Sequence, residues 1–199
     1  MDVKKTVTNR AAQSRVLRII GGTWRGRRLR FPPQEDIRPT PDRIRETLFN
    51  WLGPRIVGAR CLDLFAGSGA LGLEALSRGA SQVTFVERDA VAARELRARL
   101  TEWGAVGAQV EQTEAVRFLK AAARPFDIVF LDPPFAAGLL PQVGQLLEEQ
   151  HWLGANALVY VETNADDGLP VLPAAWQVTK TKQAGAVGYH LLTRGEAGA

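Results

Sequence analysis

Asp132-Pro133-Pro134-Phe135 is the group of residues in this chain best suited to chemistry. It closes the apolar run Phe126-Asp-Ile-Val-Phe-Leu, which reads as a buried strand. Two prolines cannot donate to a sheet ladder, so the chain must leave the sheet there. What remains is a stiff corner rich in acceptors: the Asp132 carboxylate, the carbonyls of Asp132 and Pro133, and the Phe135 ring beside them. Such a corner can accept hydrogen bonds from an exocyclic amine on a nucleobase while the ring stacks on the base. The structural alternative is a plain strand-to-loop exit.

A second group is Asp63-Leu-Phe65-Ala-Gly67-Ser68-Gly69-Ala-Leu-Gly72, which follows one apolar run and opens a helical one. Its glycines allow a tight turn and let a ligand lie against the main chain. The stretch contains G-x-G-x-x-G, and Glu87 follows Gly69 by 18 residues, near the spacing of a ribose-binding acid. A dinucleotide and S-adenosylmethionine (SAM) both fit this pattern. Two features favour SAM: a carboxylate at Asp63 repels a pyrophosphate but suits a cationic amino-acid end, and hydride transfer has no need of the Asp132 corner. The two Glu87 oxygens can take both ribose hydroxyls, with Arg88 beside them, and Glu114-Ala115 can face an adenine. Phe65, Gly67, Ser68 and Gly69 complete the expected loop contacts.

The elements that must position these groups alternate. Strands are expected at Arg60 to Phe65, Gln82 to Glu87, Ala108 to Glu111, Phe126 to Asp132 and Ala157 to Glu162. Helices are expected between them, including one that buries Leu96, Leu100 and Trp103, then Val116 to Ala123 and Leu139 to Glu149. That order predicts an α/β fold, a mostly parallel sheet with helices on both faces. Trp176 to Lys182 and Val187 to Thr193, around Gln183-Ala-Gly185, predict a closing antiparallel hairpin and bring the sheet to seven strands. The candidate ligand residues then fall at the carboxyl ends of parallel strands, where open α/β sheets bind ligands.

Ahead of the sheet, residues 15–31 predict a β-hairpin with Gly21-Gly22 as a turn or bulge. Along it lie Arg18, an exposed Trp24, Arg25, Arg27, Arg28 and Arg30. Arginines interleaved with an exposed tryptophan suit phosphate contact and base stacking; the alternative is a solvated edge hairpin protected by charge. Thr40-Pro41-Asp42 predicts a helix start with a hydroxyl cap. Ile44, Leu48, Trp51 and Leu52 follow at helical spacing, and Gly53-Pro54 ends the helix. Arg38 and Thr40 then sit at an edge of outward-facing amides, Thr40 within reach of the cofactor, with Arg38 and Arg43 toward nucleic acid.

Three segments follow: a disordered basic tail at 1–14, an RNA-contacting hairpin and helix at 15–54, and a catalytic domain at 55–199. Residues 1–60 hold 14 Lys/Arg against 5 Asp/Glu, and the rest 11 against 16, so the first part is suited to a polyanion. Hydrophobic residues at 46% and charged residues at 23% suit a globular domain. No run approaches the ~18 apolar residues of a membrane span, and the first residues lack a signal-peptide core, which predicts a cytoplasmic protein. One cysteine, Cys61, excludes an internal disulfide, and with only His151 and His190 besides, no metal site is expected.

Asp63 to Gly69 together with Asp132 to Phe135 resembles the amino-methyltransferase branch of the class I SAM-dependent methyltransferases. More narrowly, the stretches from Arg18 to Arg27, from Arg38 to Asn50 and from Phe65 to Arg78 are similar to the RsmD-type bacterial 16S ribosomal RNA guanine-N2 methyltransferases. The likeness runs from about residue 15 to residue 194. It departs at Tyr189-His190, where Tyr-Arg is expected. The resemblance implies a Rossmann-like fold and transfer of the SAM methyl to N2 of one guanine, leaving S-adenosylhomocysteine. Catalysis falls to Asp132, Pro133, Pro134 and Phe135. The partner is small-subunit RNA or a small-subunit particle, and the protein is a monomer. An adenine-N6 methyltransferase and a catalytically idle ribosome-assembly factor are the rival readings.

Overall fold

The β-branched and aromatic runs pair as their spacing predicts. The structure, a computed structural model, describes residues 15–31 and 40–195; the tail at 1–14 and Arg38 lie outside the described residues. The main sheet is built from β3 (Arg60–Asp63), β4 (Gln82–Glu87), β5 (Ala108–Gln112), β6 (Phe126–Leu131), β7 (Leu153–Asn164), β8 (Trp176–Ala184) and β9 (Val187–Arg194). Its order is β5-β4-β3-β6-β7-β9-β8. The first five strands in that order are parallel, and β9 and β8 are antiparallel. The crossover helices are α2 (Ala70–Ser77), α3 (Ala90–Glu102), α4 (Ala115–Leu119) and α5 (Leu140–Glu149). The strand order reverses at β3/β6, the switch point where such sheets bind ligands.

Side chains alternate across the sheet with period two. Cys61, Val83, Phe85, Ile128, Phe130, Leu158 and Tyr160 share one apolar layer with Leu96 and Leu100 of α3. Leu62, Val86, Val129, Leu131, Val159 and Val161 share the opposite layer with Leu119, Val143 and Leu147 of α4 and α5. Helix α4 ends at Leu119, short of the expected Ala123. Leu119 is the last residue there with a core to enter, residues 120–122 are exposed, and Pro125 disfavours helical backbone before it. The His190 ring lies between the hydroxyls of Thr181, at 2.9 Å, and Thr163, at 3.5 Å, and burial lowers its pKa.

The N-terminal segment closes the first of these layers. Strands β1 (Arg15–Arg18) and β2 (Arg28–Phe31) form the expected antiparallel hairpin, and α1 (Asp42–Leu52) follows. Leu17, Ile19 and Leu29 of the hairpin and Ile44, Leu48, Phe49 and Leu52 of α1 join the layer that holds Phe130 and Tyr160. Trp51 stacks on Tyr189 with ring centroids 5.4 Å apart. The Gly21-Gly22 turn has a packing cause. Gly22 has φ +76°, and a Cβ there would lie 1.7 Å from the Ser77 carbonyl oxygen, so only glycine lets the hairpin rest on the end of α2. The Thr23 amide donates to that carbonyl at 2.7 Å.

What holds this contact is ionic. Glu74, in the middle of α2, is fully buried. Its carboxylate accepts the amides of Ile20 and Gly21 at 2.9 and 2.8 Å, Arg45 Nη1 at 3.2 Å and Arg78 Nε at 2.7 Å. Arg45 of α1, also fully buried, donates in addition to the Thr40 carbonyl at 3.2 Å, the Arg18 carbonyl at 2.8 Å and Asp42. Burial pulls the Arg45 pKa down, while Asp42 and Glu74 oppose the change. Removing one member of such a cluster leaves an uncompensated buried charge. Glu74→Ala is therefore expected to cost about 3–5 kcal/mol of stability, measured by urea unfolding against wild type.

Candidate active site

At the end of β3 the chain must turn into α2, and Asp63 holds that turn. Its Oδ2 accepts the Gly72 amide at 2.9 Å. Gly72 has no room for a side chain, because a Cβ there would lie 2.2 Å from Phe85 Cε1. One strand over, Glu87 anchors the loop from the other side. Its two oxygens accept the Gly67 amide and the Asp89 amide, each at 2.7 Å, and Asp89 in turn caps α3 through the amides of Val91 and Ala92. Both acids, read first as ligand contacts, thus also shape the glycine loop.

The alternation that buries Phe85, Phe130 and Tyr160 carries Glu87, Asp132 and Glu162 to the same face two residues later, with Asp63 two residues after Cys61. Pairing of Leu131 with Val161 sets Asp132 beside Glu162 across β6 and β7. Thr40 comes between them from the start of α1. Its hydroxyl lies 2.9 Å from Glu162 Oε1 and 3.3 Å from Asp132 Oδ2, and the Tyr160 hydroxyl donates to the same Glu162 oxygen at 2.8 Å. Helix α1 consequently has no side-chain cap, and Pro41 stands at the cap position. The expected hydroxyl cap is absent because two carboxyls hold that hydroxyl.

Crowding acids out of water raises their pKa values. Burial lifts Asp63 to about 7, opposed by the Gly72 amide and assisted by Glu87 and Glu162. Burial likewise lifts Glu162 to about 7 against the Tyr160 and Thr40 hydrogen bonds. Asp132 is raised well above the ordinary carboxylate range, first by burial and then by the charges of Glu162 and Asp63.

These residues open onto a cleft of about 830 Å³. Of the expected site residues, Thr40, Asp63, Phe65, Gly67, Ser68, Glu87, Arg88, Glu114, Ala115, Asp132, Pro133, Pro134 and Phe135 line it. Gly69 does not; it stands behind the loop as the left-handed N-cap of α2. Pro133 is buried, whereas Phe135 is 44% exposed at the rim, free on that side to meet a flat ligand. Glu162, Tyr160, Glu74 and Arg45 had no assigned role in the sequence reading. Glu162 and Tyr160 were detectable from strand parity alone, but the buried ion cluster had no local signal. Among the described residues no group of His, Cys, Asp and Glu is placed to hold a metal ion.

On the hairpin, Arg18, Arg25, Arg27 and Arg28 are exposed, as is Arg43 on α1; the Arg30 side chain lies outside the described residues. Trp24 is not the open stacking platform expected. It is half-buried, its ring edge-on to Trp103 at 5.2 Å, with the Arg27 guanidinium 5.3 Å from the Trp103 ring centroid. An indole beside a second apolar ring at the end of α3 gains more from burial than from water.

Comparison with known proteins bears on the same arrangement. Residues 17–193 match the family model described as Conserved hypothetical protein 95. The Ribosomal RNA small subunit methyltransferase D of Escherichia coli K12 is 51% identical, over 89% of this chain and 90% of that protein. The chain belongs to this family. Its Haemophilus influenzae counterpart is 48% identical, over 88% of this chain and 92% of its own. The solved structure of yhhF from Escherichia coli superposes with a TM-score of 0.84 at 50% identity, over 90% of this chain and 98% of that one. A Salinibacter ruber RNA methyltransferase solved with S-adenosyl-L-homocysteine shares the fold at 17% identity, with a TM-score of 0.60 over 81% of this chain and 97% of that one. The family's fold is thus the Rossmann-like methyltransferase fold, as the motifs predicted.

The raised acids make stability depend on pH with a definite sign. Asp63, Asp132 and Glu162 bind protons more tightly folded than unfolded, so their contribution is full below the ordinary carboxylate range and is lost as pH rises, for Asp63 and Glu162 through about 7. The melting temperature of the ligand-free protein is expected to fall between about pH 5 and about pH 8. Asp63→Asn, which keeps an acceptor for the Gly72 amide, is expected to flatten that fall; thermal scans across pH measure both.

Proposed function

We propose that this protein transfers the methyl group of S-adenosylmethionine to the exocyclic N2 of one guanine in bacterial 16S ribosomal RNA. It acts in the cytoplasm, as a monomer, on the RNA or a small-subunit particle. The observation that carries this is the joint placement of Asp63, Glu87 and the Asp132-Pro133-Pro134-Phe135 corner on one cleft. The names of the curated relatives, small-subunit ribosomal RNA methyltransferases, support the RNA class. The choice of guanine N2 rests on the motif resemblance.

The lining suits SAM. Asp63 is a buried acid at the base of the glycine loop, fit for an ammonium group. Glu87 keeps lone pairs beyond its two amide bonds for ribose hydroxyls. Phe65, Gly67, Ser68, Arg88, Glu114 and Ala115 line the space for the remainder, and Gly69 shapes the loop. When bound, SAM supplies a methyl group made electrophilic by its sulfonium.

The protein's own part is to hold the amine. Guanine N2 is a weak nucleophile because its lone pair is delocalised into the ring. Asp132 and the Pro133 carbonyl accept its two N–H bonds, and Phe135 stacks on the base. That localises the lone pair and fixes its direction, and positioning of this kind supplies on the order of 7–11 kcal/mol of barrier reduction. No strong base is required, since the amine becomes acidic as the new bond forms. The guanine must arrive unstacked. Residues 15–54, with Arg18, Arg25, Arg27, Arg28, Arg30, Arg38 and Arg43, are the RNA-contacting part; residues 55–199 are the catalytic domain, and 1–14 is a basic tail.

Asp132→Ala tests the assignment. It is expected to lower transfer of labelled methyl to small-subunit RNA by on the order of 1,000-fold. Calorimetry is expected to give a SAM affinity within about threefold of wild type. Full activity in this variant refutes the role of the corner, and binding of NAD in place of SAM refutes the methyl donor.

A further inference from the structure

Three oxygen–oxygen contacts run in a line behind the cleft: Asp132 Oδ2 to Thr40 Oγ1, Thr40 Oγ1 to Glu162 Oε1, and Glu162 Oε1 to the Tyr160 hydroxyl, at 3.3, 2.9 and 2.8 Å. Each needs one hydrogen. Threonine and tyrosine supply one apiece and carboxylates none. A third hydrogen, on one of the two acids, gives every contact its own donor in a region where Thr40 and Glu162 are 4% and 3% exposed. The pair Asp132/Glu162 then shares one proton, with a single hydroxyl between its members.

We propose that Thr40 and Glu162 are positioning residues that take this proton away from Asp132 when the substrate amine arrives, leaving Asp132 as the carboxylate that receives the N–H bond. The inference rests on the methyltransferase function proposed above. In the ligand-free protein the proton lies on Asp132, which donates to Thr40; Thr40 donates to an ionised Glu162, and Tyr160 does the same. That assignment agrees with burial and the Glu162 charge both raising Asp132, and with hydroxyl donors favouring the charged form of Glu162.

An N–H donor reaching Asp132 from the cleft favours its charged form instead. The Asp132 proton then passes to Thr40 Oγ1 as the Thr40 hydrogen passes to Glu162 Oε1. No proton enters or leaves the protein, and the total charge of the pair is unchanged. Asp132 gains a charge-assisted hydrogen bond to the amine and is free to take the proton that the nitrogen sheds as its bond to carbon forms. Among the described residues, the charged and titratable groups acting on the pair are Asp63 from β3, Tyr160 from β7 itself and Arg45 from α1 through the Thr40 carbonyl, while Tyr189 from β9 acts on Tyr160.

Glu162→Gln keeps an acceptor for Tyr160 and Thr40 but cannot take a proton, and Thr40→Val keeps the shape but breaks the chain. Thr40→Val is expected to lose about tenfold in kcat at neutral pH, the difference between a charge-assisted and a neutral hydrogen bond. It is expected to recover toward high pH, where Asp132 ionises to solvent, so its pH profile moves alkaline; Glu162→Gln removes the charge that raises Asp132, so Asp132 ionises at lower pH and that profile moves acid. Thr40→Ser is expected to follow wild type. Infrared difference spectra with carbon-13 in the glutamate carboxyls give a readout apart from turnover: Glu162 ionised in the ligand-free protein and protonated once S-adenosylhomocysteine and small-subunit RNA are bound. Unshifted pH profiles in Glu162→Gln and Thr40→Val, or a Glu162 band unchanged on loading, overturn the relay. Absence of guanine methylation by wild type overturns the proposed function instead.

Discussion

A buried guanidinium holds this molecule together. Arg45 has no exposed surface, and its partners come from three places that are far apart in sequence: the Arg18 carbonyl at the end of β1, Glu74 in α2, and the Thr40 carbonyl before α1. A charge removed from water needs all of these contacts, because desolvation otherwise exceeds the attraction within the pair. The cluster therefore acts as a registration device. It sets the basic hairpin on α2, and it fixes Thr40 beside the acids of the cleft. The basic hairpin and the cleft are thereby tied to one rigid joint.

From that joint the site follows by sheet parity. Neighbouring parallel strands end on acids that all point to the α1 side, because each lies two residues beyond a buried side chain of that layer. Burying Asp63, Asp132 and Glu162 raises their proton affinity, with neighbouring charges adding to it at Asp63 and Asp132, and lowers ligand-free stability at neutral pH. Donors and cations supplied by ligands relieve that cost. The cleft is thus least comfortable when empty, a common condition of sites arranged for binding.

Much of this was legible in advance. Alternating strands and helices, the closing hairpin, and the Gly67 and Asp132 motifs came from local pattern, and the parallel order of β3, β4 and β6 put the motifs on one edge. Less was legible where the cause is tertiary. Thr40 reads locally as a cap, but two acids from β6 and β7 outbid the α1 amides for its hydroxyl. Trp24 reads as exposed between arginines, but Trp103 of α3 covers it. Glu74 and Arg45 had no reading at all, since nothing within a few residues of either signals that hairpin amides or a buried partner will come to meet them.

The central claim is that the cleft presents one guanine amine to a methyl donor. It is tested most directly by incubating the purified protein and SAM with small-subunit RNA and particles from cells that lack it, then identifying the modified nucleoside and its position by mass spectrometry. The account predicts N2-methylguanosine at a single position. Methyl on adenine, or methyl spread over many guanines, contradicts it.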